Sequence, residues 1–129
     1  RKGDIVRAET LLRGAIRRDP HDYMALFFLA RLLDESGRAA QAAPYYADVL
    51  RRLPEDAEVH EAYARSLGGN GRTADAYRHL AYSAIYANRK KQAERYVQQA
   101  RERAATAAEK RAFARLETVY KERKELWDK

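Results

Sequence analysis

The sequence predicts an all-α fold, a solenoid of antiparallel helix pairs, on three observations. Landmarks recur every 34 residues, at Gly3, Gly37 and Gly71 and again at Pro20 and Pro54. The composition favours helices over strands: 129 residues hold only six Gly and three Pro and are rich in Ala, Arg, Leu, Glu and Tyr. Near the end, Phe113, Leu116, Tyr120 and Trp127 fall at i, i+3, i+7 and i+14, an apolar stripe on a charged helix.

Residues 1–20 read as half a repeat, one helix from about Asp4 to Arg18. Its Ala8, Leu12 and Ala15 share a register with Ala42, Tyr46 and Val49 and with Ala76, Leu80 and Ser83. Small side chains on one face let two helices approach closely. Residues 21–54 form a full repeat. Asp22 caps its first helix, Gly37 ends that helix in the left-handed conformation, and Pro54 stops the second. Pro44 lies beyond the first helical turn, where the missing N–H predicts a late start or a kink.

Residues 55–88 repeat the pattern with Asp56 and Gly71, but Asn88 stands where a Pro is expected. The register also slips. The segment from Ala74 to Ala87 reads as a second helix through Ala76 and Leu80, and as a first helix through Tyr77, Leu80, Ala81 and Ala84. Ala93, Val97 and Ala100 then follow Ala76, Leu80 and Ser83 by 17 residues, which predicts a break or a changed curvature in the array. Residues 89–129 supply the final helices. The last, from about Ala107 to Trp127, reads as a cap with the polar outer face a solenoid end requires. The alternative is a docking helix for another domain or a second copy. The total is about six helices.

Several chemistries are excluded. There is no Cys, so thiol catalysis, disulfides and Cys-based zinc sites are absent. The imidazoles are His21, His60 and His79, and no pair has the spacing of H-E-x-x-H. No catalytic residue, metal site or cofactor is expected in this segment. The longest apolar run, Met24 to Ala30, is seven residues, against the roughly 20 of a membrane-spanning helix. The chain opens on Arg1-Lys2-Gly3 inside a repeat, which is the expectation for a piece of something longer.

The repeat resembles the tetratricopeptide repeat, whose pattern is W-x2-L-G-x2-Y, then A-x3-F, then P. Leu26, Leu29, Ala30, Leu33, Ala42, Tyr46 and Pro54 stand on that pattern, as do His60, Tyr63, Ala64, Leu67, Ala76 and Leu80 in the next copy. The resemblance implies a right-handed superhelix whose first helices line a concave face that binds protein or peptide partners. Domains of this kind that clamp a chaperone's C-terminal carboxylate carry a Lys and an Asn one turn apart on the first helix. Phe27 and Arg31 occupy those places here, which argues against that clamp.

From Gly71 onward a further likeness appears. Gly71-Arg72, Tyr77-Arg78-His79-Leu80-Ala81, Tyr86-Ala87-Asn88-Arg89-Lys90-Lys91-Gln92-Ala93 and Arg111-Ala112-Phe113-Ala114-Arg115-Leu116 resemble the C-terminal repeat region of bacterial periplasmic zinc metalloproteases. That resemblance implies a catalytic H-E-x-x-H upstream of Arg1, a periplasmic setting in envelope protein quality control, and a segment that recognises a client and docks onto the protease domain.

The face of each first helix opposite its packing residues is the candidate partner surface. It comprises Met24, Phe27, Arg31 and Asp34 in the full repeat, Glu58, Glu61, Arg65 and Gly68 in the next, and Asp75, Arg78, Tyr82 and Ile85 in the slipped helix. Phe27 suits an apolar anchor, and Arg31, Arg65 and Arg78 suit carboxylate or carbonyl donors. The alternative role for each is a solvated charge or packing between repeats. Tyr45, Tyr46, Tyr77 and Tyr82 read as gap fillers rather than a ligand box, and His60 and His79 as a packed imidazole pair rather than a metal site.

The net charge is +7, and residues 89–129 hold 13 Lys and Arg against seven Asp and Glu. Interleaving with Glu94, Glu102, Glu109, Glu117, Glu122 and Glu125 predicts salt-bridged faces and argues against nucleic acid. An acidic protein or an anionic membrane surface suits these helices better. The function expected is therefore a non-catalytic interaction module, with a self-associating scaffold or a generic adaptor as the alternatives.

Overall fold

The computed structural model describes residues 2–129. These form seven α-helices: α1 (Lys2–Arg18), α2 (Tyr23–Glu35), α3 (Ala39–Arg52), α4 (Ala57–Gly69), α5 (Thr73–Tyr86), α6 (Lys90–Arg103) and α7 (Ala107–Trp127). No strand occurs among the described residues. The architecture is an all-α, tetratricopeptide-like helical repeat, with one helix more than the sequence predicts. It divides into two compact units, one ending at Pro54 and one running from Glu55 to Lys129.

Two kinds of turn join the helices from α1 to α6. Asp22 and Asp56 precede α2 and α4, and their carboxylates accept from the N–H groups of Ala25 and Val59 at 3.0 and 3.1 Å. The other kind follows α2, α4 and α5. Gly37, Gly71 and Asn88 take φ values of 78°, 76° and 58°. In each case the next residue, Arg38, Arg72 or Arg89, donates its N–H back to Leu33, Leu67 or Ala84. Asn tolerates the left-handed region better than other non-Gly residues. The residue that departs from the Pro pattern thus does a glycine's work.

In the first unit α2 packs between α1 and α3. Leu26, Leu29, Ala30 and Leu33 of α2 and Ala42, Tyr46 and Val49 of α3 are all buried, and Ala42 is inaccessible to solvent. The Tyr46 hydroxyl donates to Asp34 at 2.6 Å, so its polar end is satisfied inside the core. α1 buries no residue fully. Ala8, Leu12, Ala15 and Ile16 are half-buried, and Val6 and Leu11 are exposed. Polar ties supplement this contact. The Glu9 carboxylate accepts from Arg38 at 2.6 Å and from Arg13 at 2.9 Å, and Arg13 also donates to the Tyr45 hydroxyl at 2.9 Å. Hydrogen bonds from Arg38 and Arg13 hold the Glu9 carboxyl below its ordinary pKa.

Pro44 does not delay the start of α3, which runs through it from Ala39 to Arg52. The carbonyl that its missing N–H leaves without a helical partner belongs to Ala40, an exposed residue whose carbonyl water can satisfy.

In the second unit α5 packs against α4, α6 and α7. That is why its sequence reads in two registers: Ala76 (6% exposed) serves one face and Ala81 and Ala84 serve others, all buried. Ala81, Ala84, Ile85, Ala93, Val97, Ala100 and Leu116 form the core, with Phe113, Val119, Tyr120 and Trp127 of α7 packed against it. α7 begins with a capping box in which Thr106 and Glu109 satisfy each other's backbone N–H groups. It ends on a clasp: the Asn88 side-chain oxygen accepts from Arg123 and from the Trp127 indole, each at 3.0 Å, and Arg123 also donates to the Ile85 carbonyl.

Candidate functional site

In the first unit the outer face of α2 is the most chemically distinctive surface. Its core stripe passes through Leu26, Leu29 and Leu33, so a period of 3.6 turns Met24, Phe28 and Arg31 outward. Met24 is 62% exposed and Phe28 46%. Phe27 is half-buried, tilted 6.4 Å from the Phe28 ring and edge-on to Tyr46 at 6.1 Å. The Arg31 guanidinium lies over the Phe27 ring at 5.7 Å and forms no ion pair among the described residues. The face therefore offers apolar anchors beside a charged donor.

Of the four predicted residues on α2, Met24 and Arg31 are exposed, while Phe27 and Asp34 lean toward Tyr46. Phe28 takes the exposed place that the sequence reading gave to Phe27. Adjacent aromatics in one run lie 100° apart on the helix, and the deeper burial goes to the one nearer the core stripe.

The predicted residues in the second unit divide into two groups. Glu61 and Arg65 sit on the outer face of α4 and approach to 3.7 Å, an i, i+4 pair. Arg78 and Tyr82 lie instead among the packed side chains of α5. Arg78 donates to Asp75 at 2.9 Å, and Arg72 pairs with the same carboxylate. Burial raises the Asp75 pKa, but the two guanidiniums outweigh it and hold the carboxyl below its ordinary value. Tyr82 stacks on His60 at 5.1 Å and on Tyr86 at 6.0 Å. Arg78 and Tyr82 are thus half-buried, each held by a neighbouring side chain, where the sequence reading places them on an open face.

His60 and His79 face each other with their Nδ1 atoms 3.0 Å apart and their ring planes within 24°. Both are buried. A bond between two imidazole nitrogens needs one donor and one acceptor. Burial first, then Arg78 and His60, push the His79 pKa well below its ordinary value, which favours the neutral ring. No group of three or more His, Asp or Glu is placed to hold a metal ion among the described residues.

The basic helices differ from the sequence expectation. Of the carboxylates in residues 89–129, Glu117 alone forms ion pairs among the described residues, with Arg101 at 2.9 Å and Lys121 at 3.9 Å. Glu109 caps its own helix. Cations lie on aromatic faces instead: Arg103 over Tyr77 at 4.5 Å, Arg123 over Tyr86 at 5.6 Å and Lys90 over Trp127 at 5.9 Å. Within α6 and α7 the ion pairs among the described residues gather around Glu117.

Paired helices with Gly or Asn turns, an aspartate cap and alanines at the close approaches define a helical-repeat protein with an open apolar face. The tetratricopeptide repeat model matches residues 1–66, and the chain belongs to that family. Its repeats generally mediate protein–protein interaction, and its fold is typically non-catalytic. Among solved structures the chain is similar to MamA 41-end from Desulfovibrio magneticus RS-1. The TM-score is 0.65 at 15% identity, over 93% of this chain and 68% of the other, a likeness of fold. No curated protein matches the sequence.

Proposed function

We propose that the chain is a non-catalytic protein-interaction module that holds a partner's peptide segment on the outer face of α2. The observation that carries this is the exposure of Met24 and Phe28 beside Arg31, an apolar pair next to a donor without a carboxylate of its own. Aromatic and Arg side chains dominate the energetics of protein interfaces. Phe27 and Asp34, held by Tyr46, fix the backbone that presents them. Within the second unit, Glu61 and Arg65 present a polar face of their own on α4, Tyr82 braces that helix through His60, and Arg78 holds Asp75.

The experiment is to pan a random dodecapeptide library on the purified chain and measure the selected peptides by fluorescence anisotropy. Phe28→Ala and Arg31→Ala weaken binding about tenfold, as loss of a contact worth about 1.4 kcal/mol requires. Glu102→Gln, on α6, leaves it unchanged. Failure to enrich any peptide, or equal affinity in all variants, contradicts the reading.

The setting that fits the likeness of residues 71–116 is the C-terminal part of a periplasmic zinc metalloprotease, the module holding a client near an upstream active site and raising its effective concentration there. Support for this setting is that likeness alone; the matched family and the matched structure carry the repeat and not a protease. Reading the gene upstream of Arg1 tests it: H-E-x-x-H is the expected finding, and further repeats alone contradict it.

A second reading, self-association, is favoured by Val6 and Leu11, which are 63% and 67% exposed on α1. Light scattering separates the two. A mass that stays monomeric at every concentration removes the scaffold.

A further inference from the structure

We propose that the groove between α6 and α7 is a second docking site, one that takes an acidic segment of a partner protein. The groove is open along one side and measures about 470 Å³, room for several side chains of an extended segment. The half-buried Tyr120 ring gives it an apolar floor over the buried Val97, Arg95 and Arg101 line it from α6, and Lys124 lines it from α7. Glu94 is the one carboxylate in the lining.

Local charge is left uncompensated. Arg101 shares Glu117, but Arg95 and Lys124 meet no carboxylate among the described residues. The Lys124 ammonium lies 5.5 Å over the Tyr120 ring, and a ring face attracts a cation without cancelling its charge. The same holds for Lys90, Arg103 and Arg123 on their rings. These two helices therefore project a positive field over a concavity with an apolar base.

That combination selects among anionic partners. A nucleic acid gains affinity from many phosphates along a continuous cationic track, and Glu94 and Glu117 interrupt any track here. An anionic bilayer favours an amphipathic helix that can bury a whole apolar face, whereas the apolar surface here is recessed. An acidic peptide fits both features: its carboxylates meet Arg95, Arg101 and Lys124, and one aliphatic side chain rests on the Tyr120 ring. None of its residues belongs to α2, and it does not rest on the α2 reading.

The test uses the intact chain and a fluorescein-labelled dodecapeptide of Glu, Asp and Leu, followed by anisotropy. The wild type binds it. The paired reversal Arg95→Glu with Lys124→Glu weakens binding at least tenfold, Tyr120→Ser weakens it several-fold, and Phe28→Ala has no effect. Arg95→Gln with Lys124→Gln gives an intermediate loss, and far-UV circular dichroism verifies that each variant keeps its helices. The proposal is overturned if the peptide fails to bind or the reversal leaves its affinity unchanged. It is equally overturned if oligo-deoxythymidine, or vesicles of phosphatidylcholine and phosphatidylglycerol, bind more tightly than the peptide through the same two cations.

Discussion

His60 and His79 hold a hydrogen bond between facing Nδ1 atoms inside the α4–α5 contact. Tyr63 from α4 and Tyr82 and Arg78 from α5 surround them, with Asp75 paired to Arg78. The fold favours a neutral His79, so its folded pKa lies below the 6.5 of an ordinary imidazole. Below pH 6.5 the unfolded chain takes up a proton that the folded one refuses, and stability falls as pH falls. The expected loss approaches about 1.4 kcal/mol per pH unit until His79 protonates in place. Urea unfolding at pH 7.5 and 5.5 measures it, and His79→Phe flattens the dependence; an unchanged slope contradicts the assignment. At Tyr46, substitution by Phe removes the bond to Asp34 at a cost of about 1 kcal/mol, read from the same unfolding curves. The 34-residue spacing marked Tyr46 as a core position. The same register gave the exposed place on α2 to Phe27 where the fold gives it to Phe28, because which of two adjacent aromatics is covered depends on the angle between helices, and spacing does not encode that angle.

At the level of elements, the turn after α5 carries the sharpest test. Asn88 supplies both a left-handed backbone and the acceptor that clasps Trp127 and Arg123. Asn88→Gly keeps the turn and loses the clasp, which shifts the Trp127 emission and lowers stability by about 1 kcal/mol. Asn88→Ala loses both and costs about 1 kcal/mol more, since a Cβ disfavours that conformation. Equal losses in the two variants contradict the dual role. Ala42 tests the close approach of α2 and α3: Ala42→Leu overfills a site with no solvent access and destabilises by about 1–3 kcal/mol. Helices α2 to α5 were legible because Gly37, Gly71, Asp22 and Asp56 carry backbone requirements that show in residue type. The slipped register around α5 was legible as two overlapping patterns. The partial cover of Arg78 and Tyr82 was not, since it depends on which side chains of α4 and α5 the fold sets against them, Asp75 beside Arg78 and His60 beside Tyr82.

Across the whole molecule the chain is a tetratricopeptide-family protein in which two compact units each bury an alanine-seated helix pair. Its positive charge is concentrated in the last two helices. The pattern of repeats foretold the helical family fold. Where charge would be neutralised it did not foretell: the interleaved Glu residues stand beside cations in sequence, while the folded chain brings several of those cations over Tyr and Trp rings. The central claim is that α2 offers its outer face to another polypeptide. Hydrogen exchange with a panned peptide bound tests it most directly, read segment by segment along the chain. Slowed exchange across Tyr23–Glu35, abolished in Phe28→Ala, is the predicted result; slowing confined to other helices, or none at saturating peptide, would contradict it.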